Sequence, residues 1–126
     1  MRCLIVDDSA SFLVAAERML TSQGIDVVGL ACDSVQAMAE LDAVRPDVVL
    51  VDVFLGTECG VTLAQRIDAV TRMHGSPVDV ILMSTRARED LLALVRDSPA
   101  VDFLKKAELS ARTIRTALSS RGAEAP

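Results

Sequence analysis

Five short apolar runs alternate with five helical stretches along this 126-residue chain, and this alternation constrains the fold more than any other feature. A run that is apolar at every position predicts a strand buried on both faces, as in a parallel sheet covered by helices. Right-handed crossovers then place helices on both sides of the sheet. The sequence therefore predicts an α/β fold with a doubly wound five-stranded parallel sheet in three layers. The predicted strands are Cys3–Val6, Val27–Ala31, Val48–Val51, Val80–Met83 and Val101–Leu104.

The predicted helices carry apolar residues at intervals of three and four positions, which indicates one buried face per helix. The first helix is expected over Ala10–Ser22, and Gly24 is expected to stop it. Asp33 is expected to cap the second helix, with Gln36 placed as in a capping box. The third helix follows Gly60. The buried faces are expected to comprise Phe12, Ala16, Met19 and Leu20; Met38, Leu41 and Val44; Leu63, Ala64, Ile67 and Val70; Leu91, Leu92 and Val95; and Ile114, Ala117 and Leu118.

The composition is that of one ordinary globular domain, with 51% apolar and 25% charged residues. No apolar run approaches the roughly 20 residues that a membrane helix needs. The first strand begins at Cys3, which leaves no room for a signal peptide, so a cytoplasmic location is expected. A net charge of −5 and the absence of Trp and Tyr argue against a surface that binds nucleic acid. No membrane or nucleic-acid partner is therefore expected.

The three cysteines show no CxxC spacing, so we expect reduced thiols rather than a metal site or a disulfide framework. Cys3 and Cys32 lie in or beside apolar runs and are expected to be buried, whereas Cys59 lies in a loop. His74, the one histidine, falls in a turn-rich connection where no catalytic or metal role is expected.

Polar side chains follow four of the five predicted strands at the point where each strand ends. Asp7 and Asp8 follow the first strand, Asp52 the third, Ser84 the fourth and Lys106 the fifth. Each position alone has an ordinary explanation as a helix cap, a turn residue or a surface lysine. The carboxyl ends of parallel strands share one edge of the sheet, where open α/β sheets bind ligands. The coincidence of four such positions at one edge therefore favours a functional site.

Three neighbouring carboxylates repel one another unless a cation neutralises them. Mg²⁺ is a hard cation that takes oxygen ligands and works together with phosphate groups. Asp52 then has the chemistry of a nucleophile that forms an aspartyl phosphate. Mg²⁺ and the Lys106 ammonium would stabilise charge on the transferring group, and the Ser84 hydroxyl would donate to a phosphoryl oxygen.

The chain resembles the receiver domain of bacterial two-component response regulators from about Arg2 to Ser120. The resemblance implies a flavodoxin-like (βα)5 fold with strand order 2-1-3-4-5, a receiver domain over 1–120 and a disordered tail over 121–126. It also implies a phosphoprotein of a phosphorelay signal transduction system. The matching segments are Leu4–Ser9, Pro46–Asp52, Gly60 eight residues beyond Asp52, Ile81–Thr85 and Phe103–Lys106.

The resemblance assigns a role to each residue of the acidic group. Asp52 would be the phosphoacceptor. Asp8 would bind Mg²⁺ directly, and Asp7 would bind it partly through water. The backbone carbonyl of Phe54, two residues past Asp52, would complete the metal site together with Asp52 itself.

The resemblance also assigns the residues that respond to phosphorylation. Ser84 matches the switch Ser/Thr of the family, and Thr85 matches its small neighbour. Phe103 matches the aromatic residue that turns inward on activation. Lys106, rather than Lys105, matches the lysine that contacts the phosphoryl group.

The implied function is a signalling switch and not an enzyme. A histidine kinase or phosphotransfer protein would phosphorylate Asp52, and the change would remodel the face formed by the fourth helix, fifth strand and fifth helix. A downstream target protein would bind there. Leu94 of the fourth helix is expected either in the core or on a partner or homodimer surface. No output domain follows the fifth helix, so a stand-alone receiver that signals by protein contact is expected unless the chain is a fragment.

Three alternatives remain at this stage. A degenerate receiver would serve as a phosphorylation-independent protein-interaction module. A haloacid-dehalogenase-type phosphatase would need a second Asp where Phe54 stands. A flavodoxin-like electron carrier would need a phosphate-cradling loop after the first strand, where Asp7 and Asp8 would repel the phosphate.

Two residues depart from the family pattern. Ala107 replaces the usual proline after the lysine, and a cis bond before a non-proline residue costs about 3–4 kcal/mol, so a trans Lys106–Ala107 bond is predicted. Gly56 stands where many receivers have proline and is expected to loosen the loop. Phe54 and Arg86 occupy variable positions that tune phosphoryl lifetime, and a bulky ring at Phe54 is expected to hinder the hydrolytic water.

Overall fold

A computed structural model of the chain describes residues 1–86, 89 and 91–123. A five-stranded sheet with every neighbouring pair parallel forms its centre, in the order β2-β1-β3-β6-β7. Because β6 and β7 are the fourth and fifth strands foreseen from the sequence, the predicted order 2-1-3-4-5 is confirmed. The strands are β1 (Arg2–Val6), β2 (Asp26–Ala31), β3 (Val48–Asp52), β6 (Asp79–Ser84) and β7 (Asp102–Lys105), with a separate short hairpin of β4 (Phe54–Leu55) and β5 (Glu58–Cys59).

The first two helices begin where short polar side chains cap them. Ser9 Oγ accepts from Phe12 N at 3.3 Å, and Asp33 Oδ1 accepts from Gln36 N at 2.8 Å. The Gln36 side chain accepts from the amide of Cys32 at 3.0 Å, one residue before the amide that a capping box uses. The helices are α1 (Ala10–Ser22), α2 (Ser34–Val44), α3 (Gly60–Met73), α4 (Leu92–Arg96) and α5 (Ala111–Ala123), with a 3-10 turn over Lys106–Glu108.

The core consists of two apolar clusters, one on each face of the sheet. Val49 and Val51 of β3 pack under α2 and α3, whereas Val48 and Leu50 pack under α1 and α5. All five residues of β3 are buried, as a strand covered on both faces requires. This complete burial is what fixes the position at which Asp52 leaves the core.

The helix faces differ from the predicted ones mainly at the ends of the periodic patterns. In α1, Leu13 is buried, while Phe12 and Met19 are only partly buried against the cluster. The α4 helix has only five residues, so few of its positions can face the sheet. Leu91 is buried just before it, but Leu92 is 45% exposed and its predicted core position is wrong. The predicted disordered tail covered positions 121–126, but α5 continues to Ala123, so positions 121–123 are helical, and positions 124–126 lie outside the described residues.

The three cysteines are free thiols. Cys3 is buried in β1, and burial raises the pKa of its thiol to about 12. Cys32 is exposed, because β2 ends one residue earlier, so the prediction that it is buried was wrong. No helix among the described residues combines the length and apolar character that a membrane span requires.

Candidate functional site

Strand register brings the predicted acidic residues to one point of the sheet. Val51 pairs with Val6 of β1, so Asp52 lies level with Asp7, the residue that follows β1. The Asp7 amide donates to Ala31 O of β2 at 3.0 Å, which extends the sheet by one residue. The helices that follow β1 and β3 pack on opposite faces of the sheet, so a crevice lies between the carboxyl ends of these two strands. This is the position at which doubly wound sheets bind ligands.

Three carboxylates converge in this crevice. Asp7, Asp8 and Asp52 each present an oxygen atom, and these atoms lie within 4.8 Å of one another. Asp7 is completely buried, Asp52 is 6% exposed, and Asp8 reaches solvent. Backbone amides hold the two buried carboxylates, since Ser9 N donates to Asp7 at 2.8 Å and Phe54 N donates to Asp52 at 3.2 Å.

Lys106 enters the crevice from the first residue of the 3-10 turn after β7. Its Nζ lies 2.5 Å from Asp7 Oδ2 and 3.0 Å from Asp52 Oδ2. The contact with Asp7 is an ion pair without hydrogen-bond alignment, so the buried Asp7 Oδ2 accepts no well-directed hydrogen bond. The structure thus places Lys106 beside the carboxylate that the sequence analysis identified as the phosphoacceptor.

The charges in the crevice are only partly balanced. Burial raises the pKa of the Asp52 carboxyl above its usual 3.8, against the opposing effects of Lys106 and the Phe54 amide. Burial also lowers the pKa of the Lys106 ammonium, but its attraction to Asp7 and Asp52 outweighs burial and leaves that pKa raised. One ammonium therefore stays charged among three carboxylates and does not neutralise them.

The donor set of the crevice fits a hard divalent cation. Every candidate ligand is a carboxylate oxygen, and the buried Asp7 Oδ2 has an ion-pair contact with Lys106 but accepts no hydrogen bond. Mg²⁺ and Ca²⁺ prefer oxygen ligands of this kind, and Mg²⁺ keeps several waters, which the exposed Asp8 side of the crevice admits. The predicted contribution of the Phe54 carbonyl remains a prediction.

Ser84 and Phe103 lie on the next two strands of the sheet, β6 and β7. Met83 pairs with Asp52, so Ser84 extends one residue beyond it at the end of β6. Ser84 is buried, its Oγ accepts from Arg86 N at 3.1 Å, and its neighbour Thr85 is exposed. Phe103 of β7 is also buried, in the cluster under α3.

Gly60 shows why a glycine stands eight residues beyond Asp52. A Cβ atom at position 60 would lie 1.9 Å from the carbonyl oxygen of Asp52. The Gly60 amide donates to Val53 O at 2.7 Å, which draws the start of α3 against the end of β3. Any side chain here would displace the backbone that carries Asp52.

The loop after Asp52 forms a short hairpin rather than an open loop. Phe54 pairs with Cys59, and Leu55 pairs with Glu58. Gly56 has φ +62°, which suits the first central residue of a two-residue II′ turn and which proline cannot adopt. Glycine at position 56 therefore permits a paired turn, and the expected loosening of the loop remains a prediction.

Glu58 connects this hairpin to the start of α2. Its carboxylate accepts from Ser34 N at 3.0 Å and from the Ser34 hydroxyl. These hydrogen bonds lower the pKa of Glu58. The sequence analysis missed this contact, because the two residues are 24 positions apart and neither belongs to a motif.

Two aromatic rings contact cations at the rim of the crevice. The Phe12 ring centroid lies 4.5 Å from Lys106 Nζ, and the Phe54 ring centroid lies 4.9 Å from Arg86 Cζ. Both distances are within the range of cation–π contacts. Phe12 was predicted only as a core residue of α1, so its contact with Lys106 is a feature that helical periodicity did not reveal.

The backbone after Lys106 has the predicted geometry. The described residues contain no cis peptide bond, and the Lys106–Ala107 bond is trans. The prediction made from the absence of proline is confirmed.

A second concavity lies at the opposite edge of the sheet and does not compete with the acidic crevice. It has a volume of about 570 Å³ and lies between the ends of α2 and α3, with Asp47 and Asp79 at the starts of β3 and β6. His74 lines it and is exposed at the end of α3. Open α/β sheets bind ligands at the carboxyl ends of their strands, which is the other edge.

Substituting Asp52 tests the electrostatic description of the crevice. The pKa of Asp52 is higher in the folded state than its value near 3.8 in the unfolded state, so the folded state binds the Asp52 proton more tightly. This difference stabilises the fold fully at pH values below 3.8, and the stabilisation is lost as the pH rises through the folded-state pKa. Asp52→Asn should therefore raise the free energy of unfolding at pH 7 in metal-free buffer, with no gain below pH 3.8. Urea titrations at both pH values measure this.

Asp42→Asn on the exposed side of α2 serves as the matched control and should change stability by less than about 0.5 kcal/mol. An Asp52→Asn variant that is no more stable than the wild type at neutral pH would contradict the description.

The fold and the crevice together define an α/β domain with an acidic, lysine-containing site at the carboxyl edge of its sheet. A family model described as "response regulator receiver domain" matches residues 3–119, and the chain belongs to this family. It is therefore a receiver domain of the two-component signalling class. The acidic cluster corresponds to the pocket where such domains typically bind Mg²⁺.

The chain is similar to the receiver portions of larger proteins. It is 39% identical over 113 residues to protein-glutamate methylesterase/protein-glutamine glutaminase 1 of Methanosarcina acetivorans, a match that covers 86% of this chain and 30% of that protein. The chain spans less than a third of the length of the first curated relatives it matches. The activity in their names is that of those whole proteins.

Solved receiver domains share the fold. The signal receiver domain of the response regulator NarL from Mycobacterium tuberculosis has a TM-score of 0.75 and 27% identity, with 96% of each chain covered. The response regulator domain of Thermotoga maritima CheB has a TM-score of 0.68 and 27% identity, with 98% of this chain and 92% of that chain covered.

Proposed function

We propose that this chain is a phosphorylation-dependent switch, in which Asp52 accepts a phosphoryl group from a histidine kinase or a phosphotransfer protein. The observation that carries the proposal is the position of Lys106 Nζ, which contacts both Asp7 and Asp52 at the point where three carboxylates meet. Here the cation lies where a phosphoryl group on Asp52 would place negative charge.

The proposed chemistry uses the ionised Asp52 carboxylate as the nucleophile. One Asp52 oxygen attacks phosphorus of a phosphohistidine, the P–N bond breaks, and the leaving imidazole takes up a proton. Lys106 attracts the phosphoryl oxygens, and the Phe54 amide, which already donates to Asp52, keeps the carboxylate oriented. A bound Mg²⁺, held by Asp7, Asp8 and Asp52 with the Phe54 carbonyl, would supply further neutralisation of phosphoryl charge.

The proposed response passes through Ser84 and Phe103. The Ser84 hydroxyl, now an acceptor for Arg86 N, would turn to donate to a phosphoryl oxygen. Movement of Ser84 would change the packing of β6 against β7, where Phe103 is buried. The change would reach the face formed by α4, β7 and α5, and Leu92 and Leu94 are 45% and 42% exposed there. A downstream protein or a second copy of this chain would bind this apolar surface.

The decisive experiment is incubation with a small acyl phosphate and Mg²⁺, followed by intact-mass measurement. The wild type should gain the mass of one phosphoryl group, and the gain should require Mg²⁺. Asp52→Asn should gain none, while Asp42→Asn should behave like the wild type. A wild type that gains no mass, or an Asp52→Asn variant that does, would reject the switch and favour a phosphorylation-independent interaction module.

Phe54 is proposed to slow the loss of the phosphoryl group. Phe54 is 43% exposed, its ring lies against the Arg86 guanidinium, and its amide donates to Asp52, so the ring stands close to the carboxylate that would carry the phosphoryl group. Phe54→Ala should admit the hydrolytic water and shorten the phosphoryl lifetime several-fold. The decay of the phosphorylated mass after removal of the donor measures this.

Val35→Ala, at a position that is 77% exposed on α2, is the matched control and should leave the decay unchanged. Equal lifetimes for the wild type and Phe54→Ala would remove Phe54 from this role.

A further inference from the structure

Three groups surround the Lys106 ammonium. Two are carboxylates, Asp7 at 2.5 Å and Asp52 at 3.0 Å, and the third is the Phe12 ring with its centroid at 4.5 Å. The ring comes from α1, whereas the carboxylates follow β1 and end β3. The ammonium is thus held from a helix as well as from the sheet.

The backbone alone does not fix the position of this ammonium. Lys106 opens a three-residue 3-10 turn that has no side-chain cap, and four rotatable bonds separate Nζ from the main chain. A lysine side chain of this length has large rotamer freedom unless contacts restrict it. Its 14% exposure shows that the surrounding groups do restrict it.

The ring differs from the carboxylates in one respect that matters for the reaction. Phosphorylation would convert an Asp52 oxygen into an acyl phosphate, and Asp7 would share its charge with a metal ion. The Phe12 ring carries no group that reacts or ligates, so its attraction for the ammonium persists through both changes.

Resting on the switch function proposed above, we propose that Phe12 is a positioning residue that holds the Lys106 ammonium beside Asp52 during phosphoryl transfer. The ring restricts the ammonium to the side of the crevice where the phosphoryl oxygens would lie. It acts through Lys106 and does not itself contact the reacting atoms.

Core packing does not account for an aromatic ring at this position. The fully buried face of α1 consists of Leu13, Ala16 and Leu20, and Phe12 is only partly buried beside it. A cavity of about 150 Å³ remains next to the ring, lined by Phe12, Ala15, Ala16, Met19, Lys106 and Leu109. An aliphatic side chain would also be apolar at this partly buried position, but it would not attract a cation.

The kinetic test compares Phe12→Leu, which keeps an apolar side chain, with Phe12→Tyr, which keeps the ring. With acetyl phosphate and Mg²⁺, Phe12→Leu should be phosphorylated about fivefold more slowly at saturating donor, the size that a partly buried cation–π contact supports. Phe12→Tyr should be close to the wild type. In a Lys106→Met background, Phe12→Leu should have no further effect, because the ring acts through the ammonium.

A spectroscopic test separates positioning from phosphorylation itself. In the wild type, the Lys106 Hε protons should resonate upfield of the other lysines because of the Phe12 ring current. The upfield shift should disappear in Phe12→Leu and persist in Phe12→Tyr. Val14→Ala, at a position that is 51% exposed on α1, should change neither the shift nor the rate.

Each outcome decides a different claim. A wild type that is not phosphorylated at all rejects the switch, while the proton shifts still report whether Phe12 holds Lys106. Equal rates for Phe12→Leu and the wild type, or a Phe12→Leu effect that persists without the Lys106 ammonium, overturn the positioning role. An absent upfield shift overturns it as well, whatever the rates.

Discussion

Lys106→Met is expected to lower the free energy of unfolding by about 3 kcal/mol at neutral pH in metal-free buffer. The Lys106 ammonium lies within ion-pair distance of the completely buried Asp7 and the nearly buried Asp52. Methionine fills a similar volume but leaves both carboxylates without that cation. Removing one partner of a buried pair costs far more than the pair contributes, because the remaining charge stays desolvated.

Urea unfolding at neutral pH measures this effect. Lys105→Met, one residue earlier and part of β7, is the matched control and should change stability by less than about 1 kcal/mol. Added Mg²⁺ should recover part of the loss in Lys106→Met, since a bound cation replaces some of the missing charge. If Lys106→Met lowers the free energy of unfolding as little as Lys105→Met does, the fold does not depend on Lys106 to stabilise the buried carboxylates.

Gly60→Ala is expected to lower the free energy of unfolding by about 3 kcal/mol and to impair phosphorylation of Asp52. The new Cβ would meet the Asp52 carbonyl oxygen at 1.9 Å and the Val53 Cα at 2.9 Å. Both atoms belong to the main chain, so no side chain can turn away to make room. The start of α3 would have to move away from the strand that carries Asp52.

Gly75→Ala separates crowding from backbone conformation. Gly75 has φ +76°, but nothing lies within 4 Å of a Cβ there. Gly75→Ala should therefore lower the free energy of unfolding by only the roughly 1–2 kcal/mol that the left-handed conformation costs an alanine. Thermal or urea unfolding of both variants, with phosphorylation measured in parallel, makes the comparison. Equal losses would mean that the contact with Asp52 does not restrict position 60.

The sequence predicted the sheet and the convergence of its polar residues because both depend on short-range patterns and on general rules of topology. The helix over Ala10–Ser22 was predicted with the bounds that the structure has. Once the strands are parallel, their carboxyl ends share an edge, and Asp7, Asp52 and Lys106 can therefore converge there. The roles of these residues in phosphorylation remain predictions that the experiments above address.

Contacts between residues that are far apart in the sequence could not be predicted in this way. The Phe12 ring contacts Lys106 across 94 positions of sequence, and Glu58 binds Ser34 across 24. Neither contact follows from periodicity, since it depends on how two helices and a hairpin meet at the rim. The short length and exposure of α4 were not predicted either, because a leucine-rich stretch has the same sequence pattern whether or not it packs on the sheet.

The small size of α4 has a consequence for how a signal would leave the domain. Protein segments open in cooperative units whose free energies reflect how much apolar surface each unit buries. The five residues of α4 include none that is buried, whereas every residue of β3 is. Rearranging α4 therefore requires little free energy, while the strand that carries Asp52 opens only with the whole domain. In the switch proposed above, the phosphoryl group would therefore be received on a rigid strand, and the partner surface would include a helix that is easily rearranged.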